Sequence, residues 1–279
     1  DATHFHFEYP NVLLLPIWVV LKTFLRFEWC KNVLDGSLPR RHKNFSFVQR
    51  FLFRRALNSI DQFVVVSEEL KDWLQKDLRV RQKVTVIPCL LPPTGEAELD
   101  SETEAELSRY MEAENRVCCI GVFIPDYGFA DAARATEELR YKTGKDIQLL
   151  LLDGVFARHD HYRTEVMRDR PWITVIEKVA NERIPAILKR SDVFVRAFRD
   201  ESYGISRIEA ILNCTPVIAT KAGETRGMLT YDFGNRQELI KHLETVLFGP
   251  PADDITIWAE RYREEAENNL NQLRSLLID

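Results

Sequence analysis

Glu201 and Glu209 stand eight apart in the run AFRDESYGISRIEA (197–210), with Gly204 between them. Two carboxylates so placed could hold the hydroxyls of a sugar or a ribose, or could merely solvate a helix. Spacing alone does not decide. Five Glu pairs in the chain stand eight apart, and four of them (96/104, 98/106, 104/112, 106/114) fall in one acidic, low-complexity stretch. Context separates the fifth. DVFVRAF (192–198) reads as a strand, RDESY as its exit loop, GISRIEAILNC as a helix and TPVIAT as the next strand. Glu201 then sits at the carboxyl end of a sheet, the edge where open α/β sheets bind ligands. The helix start at Gly204 and Ile205 offers unpaired N–H groups and a positive dipole end to a diphosphate, and Gly204 admits close approach. Glu209, about one turn in, could accept both hydroxyls of a ribose, and Glu201 reaches towards a sugar. Arg196 and Arg207 flank the segment and could neutralise a diphosphate. For Arg207 a solvent-facing helix position is an equal reading.

The elements needed to hold these residues recur along the chain. From about residue 116 short β-branched runs alternate with amphipathic stretches, the rhythm of a parallel sheet with helical crossovers. Strands are expected at 117–123, 147–155, 172–179, 192–198 and 216–220. Being nearly continuous in apolar residues, they read as buried on both faces. Helices are expected at 129–143, 161–169, 183–190, 205–213 and 237–248. In the last stretch, Ile255, Trp258, Tyr262, Ala266, Leu270, Leu273 and Leu277 recur at three and four residues, so that helix needs a partner surface. Residues 1–90 repeat the rhythm more briefly: THFHF, a helix over 11–26, a strand around 27–34 closed by DGSLP, a basic helix over 46–58, FVVVS, a helix over 68–77, and VTVIP. PPTGEAELDSETEAE (92–106) then turns to Pro, Gly and acid, as a linker or surface arm would. The expected organisation is a first domain over 1–91, an acidic linker over 92–115, a second domain over 116–250, and a helix over 251–279 packing back on the first domain.

Composition excludes several classes. With 45% hydrophobic and 29% charged residues in 279, the chain should fold, most naturally as two units. The net charge of −5 argues against nucleic acid as a partner, yet residues 40–55 carry six Lys/Arg and no acid. That basic stretch is a solvated helix face, or a peripheral contact with membrane phosphates. NVLLLPIWVVLKTFL (11–25) contains Pro16 and Lys22 and falls short of a bilayer span. The five cysteines lack C-x-x-C spacing and read as small buried hydrophobes in a reducing, cytoplasmic compartment. No zinc-like cluster, P-loop or G-x-G-x-x-G occurs, so neither a metal nor a bound cofactor is expected.

The run ESYGISRIEAILNCTPVIAT resembles the donor-binding segment of retaining family 4 glycosyltransferases of the GT-B fold: E-x-[FY]-G, four residues, E-A, a small-residue turn, then T-P-V-I-A-T. Cys214 stands where the family usually has Gly. FVVVSEELKDWL with VTVIP, and ERIPAILKRSDVFV, are similar to further family segments. The resemblance implies an α/β, GT-B-like chain of two Rossmann-like doubly wound domains. Asp1 to Phe7 resembles a strand from the middle of the first domain, which implies an incomplete N-terminal domain that a protein partner could complete. It further implies a metal-independent hexosyltransferase that uses a UDP- or GDP-linked sugar and a saccharide or glycolipid acceptor at the inner membrane face. A non-catalytic binding module of the same fold is the alternative.

By that resemblance Glu209 binds the ribose. Glu201 lies against the transferred sugar; Arg196 is a second catalytic candidate on its own position, since a charge at the C-terminal end of a strand needs a partner. Ser202, Tyr203, Gly204, Ile205 and Arg207 complete the donor side. Acceptor-side candidates are His6 and Asp35. The chain departs from the family where an Arg and a Lys usually reach the diphosphate: the loop IGVFIPDYGFADAARA has Phe123 and Tyr127 there.

Overall fold

The computed structural model describes residues 20, 24, 29–88, 98–155, 159–250 and 255–278, with residues 277 and 278 in backbone only. The expected N-terminal strand with His6, and the helix over 11–26 apart from residues 20 and 24, lie outside the described residues. The chain forms two compact units: Asp1–Leu90 with Asp200–Tyr203 and Ala266–Asp279, and Leu91–Arg199 with Gly204–Glu265.

In the first unit, β1 (Cys30–Val33), β2 (Gln62–Val65) and β3 (Lys83–Val86) form a parallel sheet in that order. The basic helix expected over 46–58 is α2 (Phe47–Leu57), and a short helix that was not expected, α1 (Leu38–Lys43), precedes it. α2 starts after Ser46, whose side chain accepts from the Gln49 N–H while the Gln49 side chain accepts from the Ser46 N–H, a reciprocal cap that starts a new helix. α3 (Glu68–Asp72) follows β2 and runs on as a π-helical turn over Trp73–Asp77.

The stretch expected as linker contains α4 (Ser101–Met111), capped by Asp100 accepting from the Thr103 N–H. Thr103, Leu107 and Tyr110 share one buried face within the acidic sequence. The Tyr110 hydroxyl donates to Ser191 Oγ at 2.8 Å, so the helix is anchored to the second unit's core.

The second unit holds β4 (Asn115–Gly121), β5 (Ile147–Asp153), β6 (Ile173–Glu177), β7 (Val193–Arg196), β8 (Val217–Thr220) and β9 (Leu229–Tyr231). All pair in parallel, in the order β6-β5-β4-β7-β8-β9. β9 exceeds the five expected strands; its three residues carry no readable period. The crossovers are α5 (Phe129–Thr143), α6 (Asp160–Met167), α7 (Ile184–Leu188) and α8 (Ile205–Leu212), with α9 (Arg236–Phe248) after β9. Val117 and Cys119, Leu149 and Leu151, Val193 and Val195 form one apolar cluster with residues of α5 and α9. The intervening Cys118, Leu150 and Phe194 are equally buried, so helices cover both faces, as a parallel sheet requires. Burial also pushes the Cys118 thiol up to about 12, where it stays protonated and inert. At the start of the central pair, Arg116 grips Asp192 with two side-chain bonds, at 3.1 and 2.9 Å, and donates its backbone N–H to the same carboxylate.

α10 (Ile255–Ile278) passes from one unit to the other at Glu265 and Ala266. Its later turns set Leu273 and Leu276 against the Cys30, Val64 and Ile87 cluster of the first unit. In the second unit, the Tyr262 hydroxyl donates to the Arg226 carbonyl. Arg226 joins Glu224 to Glu265 of this helix.

Two residues beyond the end of α8, Cys214 adopts φ 58, a left-handed conformation that glycine takes without strain. Replacing Cys214 by Gly should raise stability by about 0.5–1 kcal/mol, read as a higher urea midpoint at constant m-value.

Candidate functional site

The strand order of the second sheet reverses between β4 and β7, and the loops leaving these two strands define its carboxyl-edge crevice. Two features join the loops. The Arg199 N–H donates to the Asp126 carbonyl at 2.9 Å. Gly128, at φ 67, lies so close to Ala197 that a Cβ would come within 2.5 Å of it. Tyr127 stacks on Phe198 with centroids 4.3 Å apart. The Arg196 guanidinium lies over both rings, at 5.1 and 5.2 Å, and donates to the Ile120 carbonyl at 2.6 Å. A cation at the end of β7 is thus held in place by an aromatic pair, one ring from each loop. Sequence reasoning named Arg196 and noted Tyr127 only as a substitution; the partner ring of Phe198 is the feature it missed.

β7 leads through residues 197–203 into α8. Gly204 caps α8 at φ 93 and ψ 61, and the chain turns there as only a residue without Cβ turns easily. The N–H groups of Ile205 and Ser206 make no hydrogen bond among the described residues. They are helix-start donors of the kind that meet anions. Ser206, not singled out from sequence, has its Oγ buried without a hydrogen-bond partner. Its position two residues into a glycine-capped helix is the signal that could have found it.

Glu209 lies three and four residues beyond Ser206 and Ile205, on the same helical face. Its carboxyl is half-buried, forms no hydrogen bond or ion pair with any described residue, and is pushed up to about 7 by desolvation alone. A carboxyl left in this condition is poised to accept hydroxyl donors.

Arg207 takes neither position expected for it. It is fully buried, donating to the carbonyls of Ala222 and Glu224 and to Thr220 Oγ1 at 2.9 Å. Its fork holds the loop after β8 against α8, so the residue positions this part of the site instead of presenting a charge to a ligand. This corrects the donor-side reading of Arg207: the side chain is buried and both terminal nitrogens donate to the protein.

Asp200–Tyr203 group with the first unit. There Ser202 donates its hydroxyl to the Leu34 carbonyl at 2.6 Å, and Tyr203 is buried, while Glu201 is half-exposed. Gly36 fits beneath this segment, since a Cβ would come within 2.4 Å of the Asp200 carbonyl. Asp35, an acceptor-side candidate, accepts from the Ser37 N–H and hydroxyl and pairs with Arg41 at 2.9 Å, so it serves the start of α1. Among the described residues, no three His, Cys, Asp or Glu side chains converge as a metal site.

Two parallel, Rossmann-like sheets with a helix start at the carboxyl edge of the second define a GT-B-like α/β protein. The chain belongs to the glycosyl transferases group 1 family, whose model matches residues 100–274, and residues 2–93 match the model of glycosyltransferase family 4. No curated protein sequence matches it. Solved structures are similar in fold. Sucrose-phosphate synthase from Thermosynechococcus elongatus is 17% identical with a TM-score of 0.71, over 97% of this chain and 69% of that one. A glycosyltransferase from Rickettsia africae is 18% identical with a TM-score of 0.72, over 98% and 75%. Anabaena HepE in complex with UDP and glucose is 15% identical with a TM-score of 0.74, over 98% and 77%.

Proposed function

We propose that the protein transfers a hexose from a UDP- or GDP-linked donor to a saccharide or lipid-linked acceptor, with retention of anomeric configuration and without a bound metal. The observation that carries this reading is Glu209: a desolvated carboxyl with no partner among the described residues, one turn beyond a glycine-capped helix start. Each part has a match in a sugar nucleotide. The two ribose hydroxyls donate to Glu209. The diphosphate accepts from the N–H groups of Ile205 and Ser206, and a phosphate oxygen satisfies the Ser206 hydroxyl. Family membership and the UDP and glucose held by Anabaena HepE support the same assignment.

Breaking the bond from the anomeric carbon to the phosphate places negative charge on the departing diphosphate and positive character on the sugar ring. The helix dipole and the Arg196 guanidinium stabilise the first. The Glu201 carboxylate, at the exit of the same strand, stabilises the second. Transition-state stabilisation by fixed charges takes the place of a strong nucleophile.

The reading is tested by titrating UDP-glucose and GDP-mannose into the protein and following binding calorimetrically and sugar release by NMR, with and without a chelator. Saturable binding of one donor, chelator-insensitive turnover and a product with the donor's anomeric configuration are expected. Absence of binding by either donor refutes the site; inversion, or loss of activity with chelator, refutes that part of the mechanism.

A further inference from the structure

Helix α2 has two apolar faces. Phe53, Ala56 and Leu57 face the first unit's interior and are buried. On the other side Phe47, Val48, Phe51 and Leu52 are 85%, 63%, 59% and 39% exposed. Steps of about 100° per residue place Phe47, Phe51 and Val48 on a single solvent face opposite Phe53. One exposed apolar residue is ordinary, but four within two turns of one short helix are not. Charge surrounds this face and is of a single sign. Lys43, Arg50, Arg54 and Arg55 are exposed, and none forms an ion pair with a described residue. Arg40 and Arg41 pair with Asp200 and Asp35. No Asp or Glu occurs between Asp35 and Asp61.

We infer that α2 docks the protein on an anionic phospholipid bilayer, with Phe47, Val48, Phe51 and Leu52 entering the interface and Lys43, Arg50, Arg54 and Arg55 meeting the headgroup phosphates. The chemistry is that of an interfacial helix: an apolar strip for the acyl boundary, cations at its margins, and no acid to be repelled. A second copy of the chain is a poorer occupant, because a two-fold interface through this face would set arginine against arginine. The overall charge of −5 makes the local sign significant: attraction to lipid is confined to this face and orients the molecule upon it. The inference stands on the surface of the first unit alone, independent of the sugar-transfer reading.

Co-sedimentation with vesicles of phosphatidylcholine, and of phosphatidylcholine with about one-third phosphatidylglycerol, tests it. Binding to the anionic vesicles alone is expected, falling as salt rises. The variants Phe47→Ser/Phe51→Ser and Arg54→Glu/Arg55→Glu should each lower the partition coefficient by at least about tenfold, since each cation near the surface contributes roughly fivefold and each buried ring a similar factor. All four positions are solvent-exposed, so urea midpoints should stay unchanged and report any misfolding. The inference is overturned if the native protein ignores anionic vesicles, if it binds neutral ones equally, or if both variants bind like the native protein. It is also overturned if the same substitutions dissolve a concentration-dependent dimer or release an acidic protein partner while leaving lipid binding intact.

Discussion

Replacing Glu209 by Gln should weaken sugar-nucleotide binding by about tenfold to a hundredfold, the range for hydrogen bonds to a charged group. Replacing Glu201 by Gln should instead lower kcat by about a hundredfold with little change in affinity, because its charge matters chiefly in the transition state. The pH dependence distinguishes the two further. Free Glu209 titrates near 7 because burial disfavours its charge. Two ribose hydroxyls donating to it would favour that charge, so binding lowers its pKa and releases a proton. Affinity should therefore fall as pH drops below about 7, by up to about tenfold per unit, and the E209Q variant should lose this slope. Sugar conjugates are the right probes, as their diphosphate does not titrate in this range. The same shift affects stability. The folded protein keeps the Glu209 proton to higher pH than the unfolded chain does, so this contribution is complete below the unfolded value near 4.5 and is lost as pH rises through about 7. E209Q should match the native protein at pH about 4 and exceed it at pH about 8. A flat affinity profile for the native protein, or unaltered binding by E209Q, would remove Glu209 from the site.

Replacing Arg207 by Met should destabilise the second unit by about 2–4 kcal/mol. Methionine fills much the same volume, so the loss isolates the hydrogen bonds: two carbonyls, of Ala222 and Glu224, and the Thr220 hydroxyl forfeit a charged donor in a buried setting. At a few degrees per kcal/mol for a unit of this size, the melting temperature should fall by roughly 5–15 °C. Lysine, with one nitrogen in place of a fork, should recover only part of the loss. A change within about 0.5 kcal/mol would show that this loop holds its place without the guanidinium.

The fate of Arg207 shows where sequence reasoning ended. A charge on a helix reads as surface, yet Arg207 precedes Ala210 and Ile211, both buried, by three and four residues, so its phase placed it inside. α4 was concealed in the same way, its buried Thr103, Leu107 and Tyr110 outnumbered by acids in the composition. By contrast α5 begins and ends where the sequence predicts, because Gly128 and Gly144 mark its ends with left-handed turns and its small and apolar residues keep helical phase. The E-x7-E run was legible as strand, loop and helix, since each element carries its own local pattern. The packing of Arg196 on Tyr127 and Phe198 was not. It depends on β4 and β7 lying side by side, and no local pattern encodes which strands become neighbours.

That adjacency sets a timetable for the growing polypeptide. β4 finds its first partner in β5 soon after it leaves the ribosome, but its other side must wait about 70 residues for β7. At translation speeds of roughly 5–20 residues per second the wait lasts about 4–14 s, far longer than collapse needs. Through that interval a half-sheet of valine, cysteine and isoleucine presents a bare rim, the stage of its biogenesis at which the nascent chain most needs a chaperone.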